Sequence, residues 1–202
     1  MSHFLRAAGR TASALVVALA LAGPAAAQTA TSYSQIIQGL NAVTTDSPTV
    51  DAQALRAWAA ASAKQGGPTN SVSQSDLVKK LFSLAQITVQ IQFALNSDII
   101  RPESYAAIGA IADAMHDPIL RGYRFAVVGN TDATGTRAYN LKLSQERADA
   151  IVQALVNLYR VSPARLEAIG LGQEALQNPS KPDDPINRRV QIFNIGPVGQ
   201  AR

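Results

Sequence analysis

Gly129-Asn130-Thr131-Asp132-Ala133-Thr134-Gly135-Thr136-Arg137-Ala138-Tyr139-Asn140-Leu141-Lys142-Leu143-Ser144-Gln145-Glu146-Arg147-Ala148 joins two segments of different character. Ahead of it, Tyr123 to Val128 is an apolar run that reads as a buried strand. Behind it, Ala148, Ile151, Val152, Leu155, Leu158 and Tyr159 recur at helical spacing. The local pattern is therefore a strand, a Gly- and Thr-rich connection and an amphipathic helix. Two opposite charges, Asp132 and Arg147, stand near the ends of the connection. That placement reads as a small-molecule recognition loop and not as a linker.

Outward from this stretch the periods stay clear. Ile87, Val89, Ile91, Phe93 and Leu95 alternate with Thr88, Gln90, Gln92 and Ala94, which predicts a strand with one buried face. Pro102 opens a helix at a favoured first-turn position, with Tyr105, Ile108, Ile111, Ala112 and Met115 inward, and Asp117-Pro118 closes it. After the long helix to Tyr159, Ser162-Pro163 makes a turn and Leu166 to Leu171 a third strand. Gln173 to Ile186 is a loop, because Pro179, Pro182 and Pro185 forbid regular structure. Arg189 to Ile195 is the last strand. The order β-α-β-α-β-β predicts an α+β fold: a two-layer sandwich with a mixed sheet and helices on one face, spanning about residues 86–196. A short tail, 197–202, follows.

Residues 1–27 have the form of a signal peptide. Arg6 and Arg10 are basic, Ala12 to Ala22 is apolar, and Ala25-Ala26-Ala27 offers a small-x-small cleavage pattern before Gln28. The apolar run is about half the ~20 residues of a spanning helix, which weighs against an uncleaved anchor. No other stretch is apolar enough to cross a bilayer, so an exported, soluble mature chain is expected. Without Arg6 and Arg10 the 18 Lys and Arg become 16 against 14 acids, too even a balance to argue for nucleic acid. The sequence pI near 9.6 is thus partly a property of the signal. With no cysteine, neither disulfides nor an N-terminal lipidated Cys is expected.

Residues 28–85 read as a helical, partly ordered N-terminal extension. Ile36, Ile37 and Leu40 share a helical face between Tyr33 and Ala42. Asp51 is a candidate N-cap for an Ala-rich helix to Lys64 carrying Leu55, Trp58 and Ala59. Gln65 to Asn70 breaks the pattern, and Leu77, Val78 and Leu81 mark a further helix between Ser75 and Leu84. Such short helices either dock on the following domain or stay mobile. A tether is the favoured expectation, and a segment that binds another envelope protein is the alternative.

The chemistry centres on Asp132 and Arg147. Read as an N-cap, Ser144 would place Arg147 in the first turn of the helix, where a cation opposes the helix dipole at a cost of roughly 0.3–1 kcal/mol. A bound anion would offset that cost, and a guanidinium suits a carboxylate through two parallel charge-assisted bonds. Asp132 could accept hydrogen bonds from an ammonium, so the two charges together suit a zwitterion. The bland alternatives are an Asx-type turn at Asp132 and a simple pairing of Arg147 with Asp132 or Glu146. Asn140 could equally close the loop backbone, and Arg188 and Arg189 could be solvated or paired strand-end groups. Catalytic patterns are thin: His3 leaves with the signal, and His116 reads as a dipole partner at a helix end. Asp132 with Glu146 is the one carboxylate pair to weigh for glycoside hydrolysis, and nothing else supports it. No metal, phosphate-loop or cofactor motif is present, and no enzyme activity is expected.

The stretch resembles the peptidoglycan-binding signature of the OmpA C-terminal-like domain family, roughly G-H-T-D-x-x-G-x-x-x-Y-N-x-x-L-S-x-x-R-A. Asp132, Gly135, Tyr139, Asn140, Leu143, Ser144, Arg147 and Ala148 fall in register with it. Asn187-Arg188-Arg189-Val190 matches a second family element, and Phe93-Ala94-Leu95-Asn96-Ser97 followed by Pro102 a third. The family histidine is Asn130 here, which keeps a polar group but cannot carry a charge near neutral pH. The resemblance implies the same fold and a ligand: the meso-diaminopimelate of the peptidoglycan stem peptide, whose side-chain end bears an amine and a carboxylate. On that reading Asp132 faces the ammonium and Arg147 the carboxylate. Thr131 and Asn140 shape the pocket, and Arg188 adds positive potential. Lysine-type stem peptides, lacking the carboxylate, should bind worse. The implied setting is the periplasm and cell envelope, with association to the outer membrane or an envelope protein partner left open.

Overall fold

A computed structural model describes residues 32–42, 50–65 and 75–199. The expected signal, 1–27, lies outside them, as do residues 66–74 with most of the breaker cluster and residues 200–202 of the tail. Among the described residues, five α-helices, α1 (Tyr33–Asn41), α2 (Ala52–Gln65), α3 (Asp76–Phe82), α4 (Tyr105–His116) and α5 (Arg137–Asn157), accompany four strands. The strands are β1 (Gln86–Val89), β2 (Tyr123–Asn130), β3 (Leu166–Gly172) and β4 (Arg189–Pro197), ordered β1-β4-β2-β3. β2 and β3 run parallel, and β4 is antiparallel to β1 and β2. From β1 onward the order is the expected β-α-β-α-β-β, and the fold is α+β with a mixed sheet.

The alternation of side chains across the strands sorts the core into two halves. Ile87, Val89, Phe125, Val127, Val190 and Ile192 face α1, α4 and α5. Ala126, Val128, Ile169, Leu171, Phe193 and Ile195 face the other way, toward α2 and α3. Helices therefore cover both faces, not one: α4 and α5 form the expected layer, and α2 and α3 add a second. Of the two alternatives for the N-terminal segment, docking is the one its described helices adopt. Ile36 and Leu40 of α1, Leu55 and Ala59 of α2, and Val78 and Leu81 of α3 are almost wholly buried. Local caps make these short helices possible: Ser32 with Gln35 forms a capping box on α1, Asp51 Oδ1 accepts the Gln53 and Ala54 amides, and Ser75 caps α3. Tyr33 donates a short hydrogen bond to Asp117 at the end of α4, and Phe82 meets Phe193 edge-on at 5.5 Å.

The first strand is shorter than its alternation predicts. β1 stops at Val89, opposite Val190, one residue short of the start of β4 at Arg189. The chain then turns out: Ala94 N–H bonds Ile99 O at 2.9 Å, Asn96 takes a positive φ of 51°, and Leu95, expected inside, is 91% exposed. Ile91 and Phe93 still pack on the core margin.

α5 lies unusually close to β2 and β3. A Cβ on Gly129 would sit 2.3 Å from Ser144 O, and one on Gly170 would sit 2.4 Å from Gln145 N. Gly172, with a φ of 52°, would bring a Cβ to 2.9 Å from Leu141 N. The contact also seals the outer edge of β3. Gln145 accepts from Gly170 N at 2.8 Å and donates to Ala168 O at 3.2 Å, while Ser144 Oγ accepts from Gly172 N at 2.8 Å. Arg56 of α2 adds a second donor to Ala168 O at 2.8 Å.

Two stability predictions follow from this packing. Gly129→Ala and Gly170→Ala should each cost about 1–3 kcal/mol or more in urea unfolding, since backbone cannot step aside for a methyl. Gly122→Ala, which meets nothing within 4 Å, should stay within about 0.5 kcal/mol. Leu55→Ala should cost about 2–5 kcal/mol. A loss below about 0.5 kcal/mol, the range of surface substitutions, would mean that α2 is not part of the cooperative unit.

Candidate functional site

The site sits where β2 ends. Thr131, Asp132 and Asn140 are all buried, although they belong to a connection and the start of a helix. Asn140 explains much of this. Its Nδ2 donates to Asp132 O at 3.1 Å, Thr134 O at 3.1 Å and Gln173 Oε1 at 2.7 Å. It closes the loop backbone, the structural alternative raised for it, and so fixes the carboxylate that the loop carries. Thr131 N–H bonds Gly172 O and Ala133 N–H bonds Pro182 O, both at 2.9 Å, tying the connection to the chain beyond β3.

The helix begins earlier than expected. Thr136, not Ser144, is the N-cap: its Oγ1 accepts Tyr139 N–H, after Gly135 turns the chain with a φ of 96°. Ser144 is buried mid-helix, where its hydroxyl donates to Leu141 O. Arg147 therefore lies about three turns into α5, beyond the reach of the terminal dipole. The dipole argument for an anion at Arg147 does not hold. The first-turn cation is Arg137, and its offset is internal: a fork-like pair with buried Glu174, with Nε donating to Oε1 at 2.8 Å. That hydrogen bond holds Arg137 above the ordinary arginine range.

Arg147 earns attention on other grounds. It is half-buried, its guanidinium lies 4.9 Å over the Phe93 ring, and its Nε donates to Ser97 O at 3.0 Å. Burial pushes it below the usual arginine range, Arg188 pushes the same way, and Tyr139, Asp98 and Asp132 oppose them. No carboxylate among the described residues lies within ion-pair distance of it. Thus Arg147, Asp132 and Arg188 share one electrostatic neighbourhood, with the turn 93–97 as a wall. Phe93 and Ser97 were legible as part of a motif but not as contacts of Arg147.

Asp132 is not empty-handed. Its Oδ1 accepts the Thr134 amide at 3.0 Å, the Asx-type bond foreseen as the bland alternative, and its Oδ2 accepts from Arg188 Nη1 at 2.5 Å. Arg188 is thus a paired strand-end group, one of the alternatives for it, and its partner is the carboxylate beside which the family resemblance has it add positive potential. Arg189 is buried rather than solvated. It donates to Gln191 Oε1, Asn187 O and Ala175 O, and burial pushes it down to about 10. Asn187 clamps the Pro-rich loop by donating to Lys181 O and Pro182 O. Thr131 Oγ1 and Asn130 Oδ1 are buried with no hydrogen-bond partner. Asn130, at the family's histidine position, faces the sheet, with Nδ2 toward Gln191.

The histidine and the second carboxylate weighed for catalysis both have local partners. Glu146 pairs with Lys142 on the outer side of α5 at 3.6 Å, and His116 Nε2 lies 2.9 Å from Tyr159 O. Among the described residues no cluster of His, Cys, Asp and Glu could hold a metal ion, and no helix is long and apolar enough to cross a membrane.

Residues 92–189 match the model of the OmpA family, and this segment is an OmpA-family domain. Among particular relatives, outer membrane porin F of Pseudomonas aeruginosa is 32% identical over 126 residues, covering 61% of this chain and 35% of that protein. The peptidoglycan-associated lipoprotein of Pseudomonas putida is 40% identical over 82 residues, 41% of this chain and 47% of that one. The chain spans less than half the length of either relative. The solved peptidoglycan-associated lipoprotein of Burkholderia pseudomallei is 29% identical, with a TM-score of 0.43 over 52% of this chain and 87% of that one. These relatives are named for the outer membrane and for peptidoglycan, which is the setting expected for this chain.

Removing the Asn140 clamp should unfix the site and the loop together. Asn140→Ala should cost about 1–3 kcal/mol through unsatisfied buried carbonyls, measured by urea unfolding, whereas Arg147→Ala should leave stability nearly unchanged.

Proposed function

We propose that the chain binds peptidoglycan non-covalently through the meso-diaminopimelate of the stem peptide and so anchors or stabilises the cell envelope, without turning anything over. The observation that carries the reading is the pairing of poles at one rigid place. A buried carboxylate, Asp132, shares a neighbourhood with a half-buried guanidinium, Arg147, that has no ionic partner among the described residues. A charge held out of water without a partner is costly, and an incoming carboxylate offsets that cost. The relatives named for peptidoglycan support the wall-binding reading, and the resemblance of the motif supports the choice of diaminopimelate. Asp132 takes the ammonium and Arg147 the carboxylate, with Asn140 and Thr131 fixing the loop between them and Arg188 at the rim. An adaptor role for residues 28–85 has less to stand on. The apolar faces that a partner would need on α1, α2 and α3 are largely spent on the chain's own core.

Co-sedimentation of the chain lacking residues 1–27 with purified diaminopimelate-type sacculi tests this. The wild type should pellet, while Asp132→Ala and Arg147→Ala stay in solution although folded. Each lost charge-assisted bond should cost roughly 1.5–3 kcal/mol of binding. Wild-type protein that remains in the supernatant would sink the reading.

A further inference from the structure

Arg147 and Arg188 share the neighbourhood of Asp132, with Asp98 and Asp184 also in electrostatic reach, and the ion pair made there is the one between Asp132 and Arg188. We propose that Arg188 is a tethered stand-in for the ligand's ammonium: it occupies Asp132 in the unliganded protein and makes the site demand a carboxylate together with the amine. This inference rests on the wall-binding reading and assigns the specificity within it.

The geometry leaves little room for simple addition. Asp132 is 7% exposed, and both of its oxygens are engaged, Oδ1 by Thr134 N–H and Oδ2 by Arg188 Nη1. An entering ammonium must replace the guanidinium. The two partners differ in freedom. Asp132 is fixed by the Asn140 clamp and by the sheet, whereas the Arg188 side chain is 51% exposed and follows the tight turn Pro185–Asn187. Among the described residues, the bond to Asp132 is the one that holds it. Arg188 is the member of the pair that can leave.

What the ligand carries then decides whether leaving is favourable. A zwitterionic end brings a carboxylate beside its amine. Arg188 can exchange Asp132 for that carboxylate while the ammonium takes Asp132, so no ion pair is lost. An amine-only end offers no new anion. It takes Asp132 from Arg188 without returning an anion and adds a third cation beside Arg147 and Arg188, where Asp98 and Asp184 are the other acids in electrostatic reach. Discrimination thus comes from a repulsive element as well as from the attraction of Arg147 for the carboxylate.

The test is calorimetric titration of the chain lacking residues 1–27 at low salt with two soluble stem tripeptides, one ending in meso-diaminopimelate and one in lysine. Arg188→Ala should bind the lysine tripeptide about three- to tenfold tighter than the wild type, as expected on removing a part-exposed competing ion pair. The preference for the diaminopimelate peptide should narrow by the same factor. Adding Asp132→Asn to Arg188→Ala should erase the gain, which separates this role from a general loss of positive charge. If the lysine tripeptide binds Arg188→Ala no better than wild type, while the wild type binds the diaminopimelate peptide, the stand-in is overturned and the wall reading stands. If the wild type binds neither peptide, the wall reading fails and takes this inference with it.

Discussion

The backbone of α5 lies against the backbone of β2 and β3, with no side chain between them at Gly129 and Gly170. Helices usually stand off a sheet by the depth of their side chains. Here the Ser144 carbonyl and the Gln145 amide sit where a methyl on either glycine would be. This close approach sets the height and the rotation of α5. It places Ser144 and Gln145 against the edge of β3 and Ile151 and Leu155 in the core, and it turns Arg147 toward the chain that leaves β1. Shifting α5 outward would separate Arg147 from the end of β2, where Asp132 is held.

The site is accordingly a product of rigid parts more than of the loop that names it. Asn140 belongs to α5, yet its three hydrogen bonds reach the loop and the segment after β3. The carboxylate of Asp132 moves with the helix because its own main chain is bonded to it. Arg137 and Glu174 reinforce the same junction, and Asn187 holds the Pro-rich loop that delivers Arg188. This stiffness fixes where the charges of Asp132 and Arg147 stand, which the proposed zwitterion site requires.

The fold was readable wherever one face of an element is buried. The stripe of α4, the apolar runs of β2 and β3 and the α5 stripe as far as Leu155 fall where the periods put them, whereas α5 ends at Asn157 and Leu158 is exposed. The misreadings have local causes. Leu95 continues an alternation that the sheet does not use, since pairing depends on where β4 begins, and a single strand does not carry that information. Ser144 looks like a cap because it is a serine ahead of Gln145 and Glu146, but its hydroxyl serves a distant strand. Arg147 lies too far into α5 for the dipole argument, and its contacts, Ser97 and Phe93, are not the Asp132 or Glu146 that the sequence offers as partners. Arg188 taking Asp132 was out of reach, as it depends on a contact across 56 positions of sequence. The second helical layer was hidden for a different reason. Short apolar faces say that a helix wants a partner, and they do not say which.

The edge of β3 has one more consequence. A polymer that repeats the same ligand many times gathers its binders at a high local concentration, where open sheet edges would meet often. In β3 the outward amides of Gly170 and Gly172 and the carbonyl of Ala168 are already bonded to Gln145, Ser144 and Arg56. The opposite edge, β1, is only four residues long. Neither rim gives a neighbouring copy a ladder to extend. On the proposed wall-binding reading, crowding along such a polymer would bring these edges together without offering the β3 edge as a ladder.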